Sequence, residues 1–181
     1  MAHSLSIDLN SDLGESFGVY RIGADEDLFP LISSANVACG FHGGDPRTIE
    51  KTVAAAKTHG IAIGAHPSFP DLVGFGRRPL QASPDEVRTD VLYQLGALDA
   101  FCRAAGVPLR HVKPHGALTN MAMHDTSLAE AIVAAIRDFN PALILFAMPG
   151  SALFSAGVAA GLPVATEAFA DRAYNADGSL V

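Results

Sequence analysis

The sequence predicts an α/β fold arranged as an irregular (β/α) barrel. Six short apolar segments alternate with helical segments along the 181 residues, which is typical of parallel strands joined by helices. Polar side chains follow nearly every strand, and a barrel brings the carboxyl ends of its strands to a common centre. Because six strand-helix units are fewer than the eight of a regular TIM barrel, we expect an irregular or incomplete ring. No linker or internal repeat is evident, so residues 1–181 are predicted to form a single domain.

The first strand is predicted from strict alternation, with Leu5, Ile7 and Leu9 on one face and polar residues on the other. The other five are predicted from runs of small or β-branched residues bounded by Gly or Pro. The predicted strands are Leu5–Asn10, Ser34–Cys39, Ile61–His66, Leu109–Lys113, Leu143–Ala147 and Pro163–Glu167.

The helices are predicted from their start and stop signals. The first begins at Asp45-Pro46 and ends at Gly60, and the second begins at the capping box Ser83-Pro84-Asp85-Glu86 and ends at Gly106; two more begin at Asp125 or Ser127 and at Ser151. Residues 68–79 contain glycines but no periodicity, so we expect a long loop there, which is a candidate lid.

Composition narrows the class of function. The chain carries 19 acidic and 12 basic residues, a formal net charge of −7 and 49% hydrophobic residues. Such an acidic, apolar chain lacks the basic field of a nucleic-acid or membrane-surface binder. Two cysteines cannot build a disulfide framework, and neither a signal peptide nor an apolar run of membrane-spanning length is evident. We expect a soluble cytoplasmic protein without nucleic-acid or membrane partners.

The first polar cluster, residues 8–15, contains three acids and an amide around the end of the first strand. Such a set of oxygens suits a hard cation or a general base. The simpler interpretation is that Asn10 and Asp12 cap a turn.

The segment 38–46 joins a strand to a helix through three glycines, as an anion-binding helix N-terminus would. It lacks the lysine of a P-loop, and a tight turn explains it equally well. Cys39 and His42 could form a nucleophile and base pair, although a cysteine that ends a buried strand is more often a packing residue.

Further polar residues end the later strands. His66 ends the third strand, and Lys113 and His115 end the fourth. Burying a lysine is unfavourable unless it meets an anion, so Lys113 either faces a substrate or forms a structural ion pair with Asp8 or Glu167. After the sixth strand, Arg172 either binds a carboxylate or pairs with its neighbour Asp171.

Taken together and in this order, six segments resemble the LamB/YcsF family. These are residues 8–15, 34–46, 64–67, 71–78, 111–118 and 169–174. The resemblance runs from Ile7 to Val181 and implies an irregular (β/α) barrel similar to polysaccharide deacetylases and other barrel carbohydrate enzymes. Family members continue for about another barrel segment beyond a position like Val181, so the chain is expected to be short at its C-terminal end.

The family that this sequence resembles is that of the A subunit of the bacterial ATP-dependent 5-oxoprolinase, which acts with subunits B and C. The resemblance implies that the lactam of 5-oxo-L-proline is opened to L-glutamate. ATP is the expected co-substrate, together with Mg²⁺, and its binding is expected to be shared with the partner subunits. A homo-oligomer is a further expectation. The predicted catalytic residues are Asp12, His66 or His115 to activate water and Lys113 to stabilise an oxyanion. The predicted substrate-binding residues are Asn10, His42, Arg77, Arg78, Glu167 and Arg172.

Two other functions stay open on the sequence. In the first, the chain is a metal-dependent amide hydrolase or deacetylase that acts alone, with a divalent metal held by Asp12, His66 and His115. In the second, it is a non-catalytic subunit that binds the small molecule while its partners turn it over.

Overall fold

The computed structural model describes residues 6–176, and its centre is a six-stranded parallel sheet. The strands are neighbours in chain order, as in a barrel: β1 Asn10–Leu13, β2 Ser34–Ala38, β3 Ala62–His66, β4 Leu109–Val112, β5 Ile144–Ala147 and β6 Val164–Thr166. The helices are α1 Asp25–Leu28, α2 Pro46–His59, α3 Pro84–Ala105, α4 Gly116–Ala122, α5 Thr126–Phe139 and α6 Ala152–Ala159. The predicted α/β fold with an open, barrel-like ring of strands is confirmed.

The prediction for the first strand was wrong in its position. The segment 6–9 is not a strand, and Ile7 and Leu9 are 93% and 55% exposed, while Leu5 lies outside the described residues. The strand starts at Asn10 because its partner β2 starts at Ser34, and the two residues pair. A mostly polar run therefore forms β1, with Asn10 and Asp12 facing Lys113 and with Leu13 in the apolar core.

The predicted helix starts and the predicted ends at Gly60 and Gly106 are confirmed. Asp45 caps α2 by accepting a hydrogen bond from the Thr48 amide, and the capping box of Ser83 and Glu86 begins α3. Asp125, not Ser127, is the cap of α5. The sequence reading missed α1, a 3-10 turn at Phe29–Leu31 and α4, all of which are short.

One row of residues crosses the sheet at right angles to the strands. Asp12 of β1 pairs with Asn36 of β2, Asn36 with Gly64 of β3, and Gly64 with His111 of β4. Because Gly64 has no side chain, the His111 ring lies over it and reaches Asn36, with a His111 Nε2 to Asn36 Oδ1 distance of 2.8 Å. Asn36 of this row thus contacts Asp12 within the sheet, His111 contacts Asn36, and together they hold Asp12 in place.

The apolar core lies between the sheet and the long helices. Its side chains come from both, including Ile63 of β3, Leu98 of α3 and Ile132 of α5, none more than 2% exposed. Helices α3 and α5 pack against each other on this side of the sheet. Among the described residues, no helix combines the length and apolarity needed to cross a membrane. The helices hold the strands in place and thereby position the polar residues at the strand ends.

Candidate active site

Side chains from the carboxyl ends of the strands converge at one edge of the ring. They line a cavity of about 340 Å³. Among the predicted site residues, its walls include Asp12, His66, Arg77, Lys113, His115 and Arg172. Residues from β1, β3 and β4 thus meet there, as expected for a barrel-type active site.

The Lys113 ammonium lies among the side-chain oxygens that the sequence suggested for a hard cation. Its Nζ lies 3.1 Å from Asp12 Oδ1, 2.8 Å from Glu167 Oε1 and 3.2 Å from Asn10 Oδ1. The side chain is only 9% exposed. Burial favours the neutral amine, but the carboxylates of Asp12 and Glu167 outweigh it and raise the pKa of Lys113. Lys113 is therefore an ammonium ion, and of the two alternative partners, Asp8 and Glu167, it pairs with Glu167.

Asp12 contacts both Lys113 and His66. Burial raises the pKa of the Asp12 carboxyl, but His66 and Lys113 outweigh burial, and the pKa lies well below its ordinary value. Its Oδ2 lies 3.3 Å from His66 Nε2, while Oδ1 accepts a hydrogen bond of 2.9 Å from Asn36 Nδ2. The carboxylate is thus ionised and fixed from both sides.

Asn36 is a site residue that the sequence reading missed. It is fully buried; its amide donates to Asn10 and Asp12, and its oxygen faces His111 Nε2. The available signal was its position, a single amide in an otherwise apolar or small strand with its side chain on the face of Ser34 and Ala38. Burial lowers the pKa of His111 to about 4, so His111 is neutral and can donate its Nε2 proton to Asn36.

A second group contains three histidines and a glutamate: Glu15, His42, His66 and His115. Each offers one ligand atom, and these atoms all lie within 4.8 Å of one another. The rings of His42 and His115 are stacked, with centroids 3.8 Å apart. Burial lowers the pKa of both His42 and His115 to about 3 and raises the pKa of Glu15. Low pKa values leave His42 and His115 neutral, the form in which imidazole can bind a metal.

Backbone carbonyls orient two of these histidines. His66 Nδ1 lies 2.6 Å from the Lys113 carbonyl oxygen, and His115 Nε2 lies 2.8 Å from that of Phe75. A carbonyl only accepts, so these two nitrogens carry the protons. The other nitrogens, His66 Nε2 and His115 Nδ1, face each other at 2.9 Å.

The glycine-rich segment after β2 is a packing turn that positions Glu15. A Cβ on Gly43 would lie 2.9 Å from the Glu15 carbonyl oxygen, and one on Gly44 would lie 3.0 Å from the Gly14 carbonyl oxygen. The absence of side chains therefore lets the chain after β1 lie against this turn, where Gly44 N donates to Glu15 O at 3.2 Å. His42 Nε2 then meets Glu15 Oε1 at 3.2 Å.

Cys39 does not fit a nucleophile. It is 3% exposed, its thiol donates to the Val37 carbonyl oxygen, and burial raises its pKa to about 12. Of the two interpretations of this cysteine, the structure supports packing.

The loop 68–79 closes one side of the cavity, and its two arginines differ. Arg77 lines the cavity, with its guanidinium 5.7 Å from the centre of the Phe75 ring. Arg78 is not in the cavity wall; it pairs with the buried Asp71 and holds the loop, so its expected substrate contact is not supported by its position. After β6, Arg172 also lines the cavity, 3.9 Å from the exposed Asp171.

The predicted metal ligands are only partly together. His66 and His115 belong to the histidine group, but Glu15 and His42 complete it in place of Asp12. Asp12 is instead held by Lys113 and Asn36. The expected trio of Asp12, His66 and His115 stays a prediction; Asp12 Oδ2 lies 3.3 Å from His66 Nε2, but Asp12 is not part of the group of four.

Known proteins share most of this sequence. The A subunit of 5-oxoprolinase from Symbiobacterium thermophilum is 65% identical over 175 residues, which are 97% of this chain and 67% of that protein. That of Tolumonas auensis is 59% identical, over 96% of this chain and 69% of the relative. The chain thus spans about two thirds of the length of these relatives, and the expectation that it is shorter than they are is confirmed.

A solved structure gives the same fold. The crystal structure of a lactam utilization protein from Thermus thermophilus superimposes with a TM-score of 0.95 at 54% identity, over 98% of this chain and 72% of that one. The carboxyl transferase domain of Rhizobium etli pyruvate carboxylase, at 13% identity and a TM-score of 0.53, shares the fold alone. The LamB/YcsF family profile matches residues 7–181. The chain belongs to the LamB/YcsF family.

Proposed function

We propose that the chain is the A subunit of a 5-oxoprolinase and contributes the site at which the lactam of 5-oxo-L-proline is opened to L-glutamate. The observation that carries the proposal is the buried Lys113 ammonium, which pairs with Asp12 and Glu167 and lines, together with Asp12, a cavity of about 340 Å³. A cavity of this size accepts a small substrate, and relatives at 59–65% identity are named as the A subunit of 5-oxoprolinase.

Ring opening needs a nucleophilic water, a group for the developing oxyanion and a proton for the leaving nitrogen. The oxygen of water bonds to the lactam carbonyl carbon, the carbon-nitrogen bond breaks, and the nitrogen takes a proton. His66 or His115 is the base in this proposal, since both imidazoles lie at the cavity wall. Asp12 orients His66 through the 3.3 Å contact.

Lys113 is proposed to face the lactam oxygen. An ammonium has three N–H donors, and three acceptors already surround this one: Asn10, Asp12 and Glu167. A substrate oxygen would therefore replace Asn10, the only uncharged acceptor of the three. Asn10 and Glu167 are in this way proposed substrate-binding neighbours of Lys113.

The substrate carboxylate is proposed to bind Arg77 or Arg172, the two arginines at the cavity wall. ATP with Mg²⁺ and partner subunits B and C belong to the same proposal, since an unstrained five-membered lactam needs a driving force to open. The Gly40–Gly44 turn gives no support for a phosphate loop on this chain, because Gly43 and Gly44 pack against residues 14 and 15. ATP activation is thus assigned at least partly to the partners. A cytoplasmic location, a single domain and a homo-oligomer remain predictions.

The test is glutamate formation from 5-oxo-L-proline and ATP, by the chain alone and with subunits B and C, beside the full-length Symbiobacterium thermophilum relative. We expect activity only in the mixture and its abolition in Lys113→Met. Lys57→Met is the matched control, since Lys57 is exposed and donates only to the Ala105 carbonyl oxygen. Normal turnover by Lys113→Met would remove Lys113 from the mechanism. Binding of 5-oxoproline without turnover in any mixture would favour the non-catalytic subunit.

A second candidate function is a metal-dependent amide hydrolase that acts without partners. The group of Glu15, His42, His66 and His115 favours it, because three imidazoles and a carboxylate are typical ligands of a catalytic metal. ATP-independent release of acetate from acetamido sugars by the chain alone would support this alternative over the lactamase.

A further inference from the structure

The histidine group is built by the carboxyl ends of four consecutive strands. Glu15 follows β1, His42 follows β2, His66 is the last residue of β3, and His115 follows β4. The three histidines are at most 4% exposed and the Glu15 side chain is 14% exposed. Four ligand-type side chains from four strands are thus brought to one buried point.

The ring orientations leave an unfavourable contact unless something lies at that point. His66 and His115 each donate one N–H to a backbone carbonyl, so in their neutral forms His66 Nε2 and His115 Nδ1 present lone pairs to each other at 2.9 Å, and His66 Nε2 also faces the Asp12 carboxylate, with Oδ2 at 3.3 Å. Metal-binding histidines characteristically donate their other N–H to a carbonyl or carboxylate, which fixes the ring with its lone pair toward the metal.

The distances within the group suit a metal centre. Two ligands each about 2.1 Å from one ion lie about 3.4 Å apart in tetrahedral geometry. The His66 to His115, His42 to Glu15 and His115 to Glu15 separations are 2.9, 3.2 and 3.7 Å, on both sides of that value. All four ligand atoms lie within 4.8 Å of one another, so the wider separations must shorten for the group to close on one ion.

One shared proton accounts for less of the arrangement. A proton on His66 Nε2 would relieve its contacts with His115 and with Asp12, but it would leave His42 and Glu15 unexplained at the same point. Three imidazoles and a carboxylate whose ligand atoms lie within 4.8 Å of one another suit one shared metal ion better than one shared proton.

We infer that Glu15, His42, His66 and His115 bind one divalent transition-metal ion of the zinc class. Three imidazoles and one carboxylate disfavour Mg²⁺ and Ca²⁺, which prefer oxygen ligands. When bound, such an ion supplies Lewis-acid activation of a carbonyl or a water. Its catalytic use rests on the proposed function, whereas its binding does not. A bound ion would occupy the lone pairs of His66 and His115, so neither imidazole would then act as the base, and Lys113 and Asp12 lie outside the ligand set.

Metal content tests the inference directly. The untagged chain, purified without chelator, is measured by inductively coupled plasma mass spectrometry, then stripped with chelator and titrated with Zn²⁺ by calorimetry and with Co²⁺ by visible absorption. We expect about one ion per chain and cobalt ligand-field bands typical of a four- or five-coordinate nitrogen and oxygen site. A folded, stripped chain that binds neither ion at micromolar concentration overturns the inference.

Variants separate this site from surface histidines. His115→Gln and Glu15→Gln each remove one ligand and should weaken Zn²⁺ binding by more than the ~10–100-fold that follows loss of an outer-shell partner. His124→Gln is the matched control, because His124 is exposed and lies outside the group. Circular dichroism checks that each variant folds. If His115→Gln folds and binds Zn²⁺ as tightly as the unchanged chain, the assignment is wrong.

The same preparations distinguish this inference from the proposed function. Bound metal, with no glutamate formed from 5-oxo-L-proline in any mixture, would support the metal site and reject the lactamase. Full glutamate formation by a chelator-stripped chain that does not take up metal again would support the lactamase and reject the metal site.

Discussion

Replacing Gly64 with alanine tests the row of residues that supports Asp12 from behind. A Cβ at position 64 would lie 2.1 Å from His111 Cδ2 and Nε2, well inside van der Waals contact. The ring cannot easily move, because it is 2% exposed, stacks on Phe146 at 4.3 Å and bonds to Asn36. Gly64→Ala therefore strains the core or forces His111 away from Asn36.

The magnitude follows from these two outcomes. Overpacking a close-packed interior costs about 1–3 kcal/mol of unfolding free energy. Displacing His111 leaves the buried Asn36 oxygen without its donor, and an unsatisfied buried acceptor costs about 1–3 kcal/mol. The lower chain entropy of alanine offsets only about 0.5–1 kcal/mol. We expect Gly64→Ala to lower the free energy of unfolding by about 1 kcal/mol or more.

Urea unfolding measures this loss as a shift of the midpoint at unchanged slope. The matched control is Gly96→Ala in α3, where a Cβ meets nothing within 4 Å, and it should gain about 0.5–1 kcal/mol. In the double variant Gly64→Ala/His111→Ala the clash is gone, so the double variant should lose little more than His111→Ala alone. A Gly64→Ala protein within about 0.5 kcal/mol of the unchanged chain, or strictly additive losses, would refute this account of the row.

Three further predictions concern the loop, the cysteines and the core. The Arg78 hydrogen bond lowers the pKa of Asp71 to about 2, so this pair stabilises the fold above the ordinary aspartate pKa near 4 and is lost as the pH falls towards 2. The difference in unfolding free energy between the unchanged chain and Asp71→Asn should accordingly shrink from pH 5 to pH 2, and a constant difference would contradict the pairing. Burial raises the pKa of both Cys39 and Cys102 to about 12, so a thiol reagent at pH 8 should label them only after denaturation, and rapid native labelling would show the opposite. Leu98 is fully buried, so Leu98→Ala should lower the unfolding free energy by about 2–5 kcal/mol in urea titrations, against a negligible effect for the exposed Val73→Ala.

Features with local causes were predictable from the sequence. The capping residues Asp45, Ser83 and Asp125 and the terminating Gly60 and Gly106 act within one helical turn, so their spacing alone identified α2, α3 and α5. The alternation of strands and helices likewise identified the parallel sheet, since each crossover needs a helix. The gathering of polar residues at the strand ends followed from that topology.

Features set by pairing across the sheet were not predictable. The alternation in residues 5–10 satisfied the rule for a strand, yet β1 begins only where β2 offers a partner at Ser34. Asp12 was expected among the metal ligands because it follows the first predicted strand. In the structure, Gly14 adopts a left-handed φ of 72° after β1, and Glu15 contacts His42 and His115, whereas Asp12 contacts His66. The link from His111 to Asn36 depends on the register of three strands, which no single segment encodes.

Asp12 shows why the two halves of the site function as one unit. Its Oδ1 contacts the Lys113 ammonium at 3.1 Å, and its Oδ2 contacts His66 Nε2 at 3.3 Å. Because its pKa is held well below the ordinary value, Asp12 stays ionised at neutral pH and cannot itself deliver a proton. In the proposed function, proton transfer is therefore assigned to the imidazoles and charge stabilisation to Lys113. Asp12 fixes the distance between these two functions, and Asn36 and His111 hold Asp12 in place from within the sheet.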